Sequence, residues 1–153
     1  MSGHSGKEAE SGWQDRISQI TRMLKFGGKA VAGPMVRKFI RNRVVAILSE
    51  KEPQILQNYI LTDYPLVENN TPQKVRNALG NIGPQFEEEI QQLVTPENVL
   101  DWLEYPEEWL DVSQNPQQAQ DLRECHQIIK NTPGGVEWLE DQCLAVWQIA
   151  GVL

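Results

Sequence analysis

Three times along this chain a Thr-Pro pair is followed by Val four residues after the Thr: Thr71-Pro72 with Val75, Thr95-Pro96 with Val99, and Thr132-Pro133 with Val136. A Thr hydroxyl can accept from a free backbone N–H at a helix start, and Pro is best tolerated in the first helical turn. Val at the fourth helical position then turns toward a core. Two of these starts run on into Trp-Leu-Glu, at Trp102–Glu104 and Trp138–Glu140, and Trp109-Leu110-Asp111 echoes it. The offsets differ by one residue between copies, so the pattern reads as recurrent capping chemistry rather than a solenoid repeat.

With such starts the chain reads as a run of short helices. Helices are predicted over roughly 72–80, 83–93, 96–104, 107–112, 116–130 and 134–151. Upstream, Trp13, Ile17, Ile20 and Leu24 recur at spacings of four, three and four, the signature of one helical face. Gly27-Gly28 and the small residues up to Gly33 interrupt, and Pro34 restarts a helix whose apolar stripe is Val36, Ile40, Val44 and Ile47. Lys38, Arg41 and Asn42 point away from that stripe, while Arg43 falls on it. Pro53 opens a further short helix through Ile60, ended by Tyr64-Pro65; a strand at 44–48 or 59–62 competes but lacks partners. In the last helix Val136, Leu139, Cys143, Val146, Trp147 and Ala150 share a stripe that must dock.

The expected fold is therefore all-α. It is a single compact bundle of about six or seven short helices, residues 12–153, behind a flexible tail at residues 1–11 made of small and polar residues. At 153 residues one domain is the default. Its basic segment, 12–51, differs in kind from its acidic body, 52–153. Residues 1–51 hold ten of the fourteen Lys and Arg against four acids, a local net of +6, while residues 52–153 carry −13, which together give the overall −7. Charge so divided points to an anionic neighbour for the first part.

Most enzyme constellations are missing. His4 and His126 are the only histidines, so His-based acid/base work has one candidate outside the tail, His126. Neither Gly-x-Ser-x-Gly nor Cys-x-x-Cys occurs. Gly27-Gly28-Lys29-Ala30 resembles a phosphate loop, but Met23 and Ala30 stand where a Gly and a hydroxyl are needed. No catalytic residue, metal or cofactor is assigned. Cys125, His126 and Cys143 invite a zinc reading, yet adjacent Cys and His diverge by about 100° on a helix. Buried structural cysteines are the expectation, ahead of a disulfide. Glu87-Glu88-Glu89, and Glu97, Asp101 and Glu104 on one helical face, read as solvated carboxylates.

Two groups remain as interaction sites. Arg22, Lys25, Lys29, Arg37, Lys38, Arg41 and Arg43 are interleaved with apolar residues and form the anion-binding candidate. Trp102, Tyr105 and Trp109 around Pro106 form the protein-interface candidate, with corner packing as the competing role. The resulting expectation is a non-enzymatic helical interaction or assembly protein, an adaptor or structural subunit. Its basic segment engages an anionic surface and its Trp-rich acidic body makes protein contacts or self-assembles. The alternatives are a nucleic-acid-binding regulator touching phosphates through residues 22–43, or a peripheral membrane-surface protein using Leu24-Lys25-Phe26 and the 34–48 helix. A helix-turn-helix over 70–94 would offer Glu87, Glu88 and Glu89 to a duplex, which repels them. No small-molecule substrate is implied. With neither a signal peptide nor a membrane span in the pattern, the expected location is cytoplasmic or virion-associated.

Overall fold

In the computed structural model the described residues are 18–20, 22, 28–49, 52–67 and 73–153. Every regular element among them is helical. They are α1 (Gly28–Ser49), α2 (Pro53–Leu61), α3 (Gln73–Ile82), α4 (Glu87–Leu93), α5 (Pro96–Glu104), α6 (Pro116–Asn131) and α7 (Gly135–Ile149). Two 3₁₀ turns, Gly83–Gln85 and Pro106–Glu108, join α3 to α4 and follow α5. The all-α architecture is as the sequence pattern implies. The expected tail over 1–11 and the stripe from Trp13 to Leu24 fall largely outside the described residues.

Several helix starts follow from Pro. Pro53, Pro96 and Pro116 each sit in the first turn of α2, α5 and α6, where the missing N–H has no intrahelical partner to lose. The Thr95 hydroxyl accepts from the Asn98 N–H at 3.2 Å, the cap its spacing predicts. Val99, three residues beyond Pro96, is fully buried.

The expected helix over 83–93 is a 3₁₀ turn followed by α4, and of the one over 107–112 only the 3₁₀ turn Pro106–Glu108 forms; two further helix starts differ from the sequence expectation. α1 does not restart at Pro34: it is helical from Gly28 and carries Pro34 in its interior. Proline there removes one N–H and crowds one carbonyl, so the cost is confined to a single turn and the helix spans it. At the third Thr-Pro pair, Thr132 closes α6 instead of opening α7. Gly134, at φ +78°, supplies the left-handed residue that turns the chain, and α7 begins at Gly135. Val136 is consequently the second residue of α7 and is exposed rather than facing the core. Gly135 has no alternative at that corner, because a Cβ on it would stand 1.9 Å from the Ile129 carbonyl oxygen.

The core is organised around α1. From Phe39 to Ser49 no residue of α1 is exposed, and the helix packs against α4, α5 and α6. Val45, outside the expected apolar stripe, is buried together with Phe39, Ile40, Val44 and Leu48. Around it α2 packs on α6, α5 on α6, and α6 on α7. Phe86 sits fully buried between the first 3₁₀ turn and α4.

The tryptophans close helix ends. Indole Nε1 of Trp138 donates to the Tyr64 carbonyl just past α2 at 2.9 Å, and that of Trp147 to Val94 at the end of α4 at 3.0 Å. Trp109 donates to Trp102 in the last turn of α5, also at 3.0 Å. Asn98 adds to the second of these by donating to the Gln92 and Leu93 carbonyls at 2.8 and 3.2 Å. Helix C-termini leave four carbonyls unpaired, and neither α2, α4 nor α5 has a basic residue in its last turn. At α4 and α5 the indoles take that place while burying apolar area; at α2 the backbone N–H groups of residues 62–64 already do so, and Trp138 instead holds the segment beyond.

Gln142 makes the most consequential buried polar contact. Its Oε1 accepts from the backbone N–H of Leu66 and of Val67, at 2.8 and 3.2 Å, and its Nε2 donates to the Trp138 carbonyl at 3.2 Å. Trp138 and Gln142, one helical turn apart on α7, thus fasten the segment 64–67 to the body. Beneath it lies a small apolar crevice with about 10 Å³ of free volume, between Val44, Ile47 and Leu48 of α1 and Leu139, Cys143 and Val146 of α7.

Candidate functional site: a cationic and aromatic corner

The two candidate groups named from sequence meet in space. Arg41 on α1 places its guanidinium carbon 5.0 Å from the centroid of the Trp109 ring, a cation–π stack. Arg37 lies one helical turn before Arg41 and Lys38 three residues before it, so the three share a side of α1. Arg37 and Lys38 are exposed and form no ion pair among the described residues. Arg41 also donates to the Asn42 side chain, at 3.4 Å.

Other members of the predicted cationic group are placed differently. Arg43 is half-buried, consistent with its position on the apolar stripe. Arg22 is exposed, and the side chains of Lys25 and Lys29 lie outside the described residues. The cationic surface that can be traced is therefore narrower than seven residues, centred on Arg37 and Lys38 with Arg41 joining it to Trp109.

Trp102 and Trp109 are half-buried and pack against the core, while Tyr105 is 44% exposed. The two indoles thus fill the corner and the phenol is offered to solvent. Carboxylates surround that phenol. Glu104 above all, then burial and the charges of Asp101 and Glu108, raise its pKa from the ordinary tyrosine value. Across the corner, Arg123 of α6 pairs with Glu107 at 3.1 Å, both about half exposed. Glu107 is held below the usual carboxylate range, first by a bond from its own backbone N–H and further by Arg123. Arg41 thus meets the ring of Trp109, which follows the exposed carboxylates Glu107 and Glu108 in the chain.

His126 stands at 3.9 Å from Glu104, Nε2 to Oε1, a long contact that leaves it beside the corner. Cys125 and Cys143 are buried free thiols. Burial foremost pushes them up, Cys125 to about 11 and Cys143 to about 12. Among the described residues no group of three or more His, Cys, Asp or Glu is arranged to hold a metal ion. Glu97, Asp101 and Glu104 are all exposed along α5, and Glu87 and Glu88 along α4.

The membrane-surface alternative and a recognition role for the helix-turn-helix lose surface in this arrangement, while phosphate contact through residues 22–43 is untouched by it. No described helix is long and apolar enough to cross a membrane. A helix lying on a membrane needs one open face along its length, and α1 offers none over 39–49. In the helix-turn-helix comparison, α4 has only seven residues and packs on α1, with Glu87 and Glu88 facing out. Sequence reasoning missed Gln142, whose role needs the 64–67 segment beside α7. It also missed the Arg41–Trp109 stack, since nothing local links residues so far apart in the chain.

Fold and surface together define a small helical-bundle protein with a mixed-charge aromatic corner. No family model matches the sequence, and no curated protein or solved structure matches it.

Proposed function

We propose that this chain is a non-enzymatic interaction or assembly protein that docks an anionic protein surface through Arg37, Lys38 and Arg41, with Trp109 and Tyr105 flanking the contact. The observation that carries this reading is the exposure of Arg37 and Lys38, without ion pairs among the described residues, beside a guanidinium already oriented on an indole. A cation pre-positioned on an aromatic ring loses little side-chain entropy on binding, and Trp, Tyr and Arg are the residues that most often dominate interface energetics. The carboxylates around Tyr105 restrict the partner further. A polyanion would face Asp101, Glu104, Glu107 and Glu108 within the same corner, whereas a protein surface can answer both signs.

The test is capture from native extract on immobilised full-length protein at low salt, with and without nuclease, compared with an Arg37→Glu/Lys38→Glu variant. The expected result is a nuclease-resistant protein partner, released by salt and lost with the double substitution. Capture that disappears with nuclease moves the assignment to nucleic acid. No difference between wild type and the charge-reversed protein overturns the reading.

A further inference from the structure

We propose that the anionic partner of the Arg37–Lys38 face is a second copy of this chain, docked through the outer face of α7 in a head-to-tail contact. The inference rests on the docking reading above and names the occupant. Val136, Glu140 and Leu144 recur every four residues, with Glu137 and Asp141 beside them four apart, so the five form one stripe of α7. All five are exposed, Val136 and Leu144 at 38% and 40% of their surface. Two apolar side chains thus lie at the ends of a stripe whose middle is three carboxylates.

Those carboxylates form no ion pair among the described residues, and neither do Arg37 and Lys38. The fold keeps the two patches from meeting within one molecule. The opposite side of α7, with Leu139, Cys143 and Val146, faces the buried second half of α1 across the apolar crevice, so the acidic stripe points away from α1. On α1 the cationic side carries exposed Pro34 next to half-buried Met35, an apolar edge for one end of the α7 stripe. Each patch is about 10–12 Å long at the helical rise per residue. Charge sign, length and one apolar end therefore match between surfaces that a single copy cannot bring together.

Two different patches make the contact heterologous. Copies joined this way extend into a ring or an open chain instead of stopping at a two-fold dimer. A contact of this size made of exposed ion pairs is weak and salt-sensitive.

Sedimentation velocity on the full chain tests this, using wild type, Arg37→Glu/Lys38→Glu, and Glu140→Lys/Asp141→Lys. Circular dichroism of each variant checks that the fold is kept. Wild type is expected to form species larger than a dimer as concentration rises, with association about tenfold weaker at high salt. Each variant alone is monomeric, having lost one of the two surfaces. Mixed, they associate again, because the cationic face of one meets the acidic face of the other and the two reversed faces also carry opposite charges. A monomeric wild type at every concentration overturns the proposal, as does a mixture that stays monomeric. If wild type is monomeric yet the cationic face still captures an anionic protein in a salt-sensitive way, self-docking fails and the docking function stands; if neither occurs, both fail.

Discussion

Replacing Gln142 by Met removes the acceptor that holds segment 64–67 while keeping an unbranched side chain of similar length. Oε1 of Gln142 is the acceptor for two backbone amides, Leu66 N–H at 2.8 Å and Val67 N–H at 3.2 Å. Leu66 and Val67 are only 8% and 7% exposed, so water reaches those amides poorly in the native arrangement. The Nε2 bond matters less, because the Trp138 carbonyl it meets also accepts from the Gln142 N–H within α7. Each orphaned buried N–H costs about 1–3 kcal/mol. Tyr64 and Pro65 next door are exposed, so the segment can turn its amides partly toward solvent, which holds the sum to about 2–3 kcal/mol. In a domain of this size that lowers Tm by about 5–10 °C. Urea unfolding should show a lower midpoint with an unchanged slope, and hydrogen exchange should speed selectively at the amides of residues 66 and 67. A loss below about 0.5 kcal/mol, or unaltered exchange at those two amides, would refute the idea that Gln142 secures the segment.

Glycine substitutions should diverge by site. Gly135→Ala and Gly83→Ala put a Cβ 1.9 Å from the Ile129 carbonyl oxygen and 1.6 Å from that of Ala150, and each should cost about 1–3 kcal/mol or more in urea unfolding. Gly33→Ala meets nothing within 4 Å inside α1 and should stabilise by about 0.5–1 kcal/mol in the same assay. Trp147→Phe removes the bond to the Val94 carbonyl while keeping most of the ring, and should cost about 1 kcal/mol in thermal or urea unfolding. The native thiols should resist an aromatic disulfide reagent near neutral pH and react once urea unfolds the chain. Since burial raises both above the unfolded value, the unfolded chain releases those protons first. Stability should therefore fall from about pH 9 upward, by up to about 1.4 kcal/mol per pH unit per thiol. A Cys125→Ala/Cys143→Ala protein measured over the same range should show a flatter decline.

The helix-by-helix outline was legible because it rests on local chemistry. Pro53, Pro96 and Pro116 stand where a first turn wants them, and the Thr95 hydroxyl has only to reach three residues ahead. The third Thr-Pro pair shows where local chemistry gives out. Thr132-Pro133 satisfies the same spacing rule, but Gly134-Gly135 follows. Two residues without a Cβ allow a left-handed turn and then a helix start pressed against the Ile129 carbonyl. The Gly-Gly pair was visible in the sequence, and weighed against the cap it would have moved Val136 from core to surface. That single residue matters for function, because an exposed Val136 is one end of the acidic stripe on α7.

The cationic segment illustrates a different limit. A helical wheel sorts Lys38 and Arg41 away from the apolar stripe correctly, yet says nothing about how far along the helix that polar side stays open. In the structure it is open around residues 37 and 38 and closes from Phe39 onward, as α4, α5 and α6 surround the second half of α1. Periodicity describes directions around a helix, whereas burial also depends on height along it, and height is set by which other helices reach that level. The same tertiary fact brings Arg41 to Trp109. A guanidinium that would be mobile on an isolated helix is held on an indole. Charge-reversal at Arg37 and Lys38 therefore tests recognition, while Trp109→Leu tests its geometry. Loss of the stack should weaken docking by about 0.5–1 kcal/mol with the net charge unchanged, and binding measured by titration at two salt concentrations should keep its salt slope. A steep change in that slope instead would mean that Trp109 controls how many charges engage, and that the corner is organised by the indole rather than by the cations.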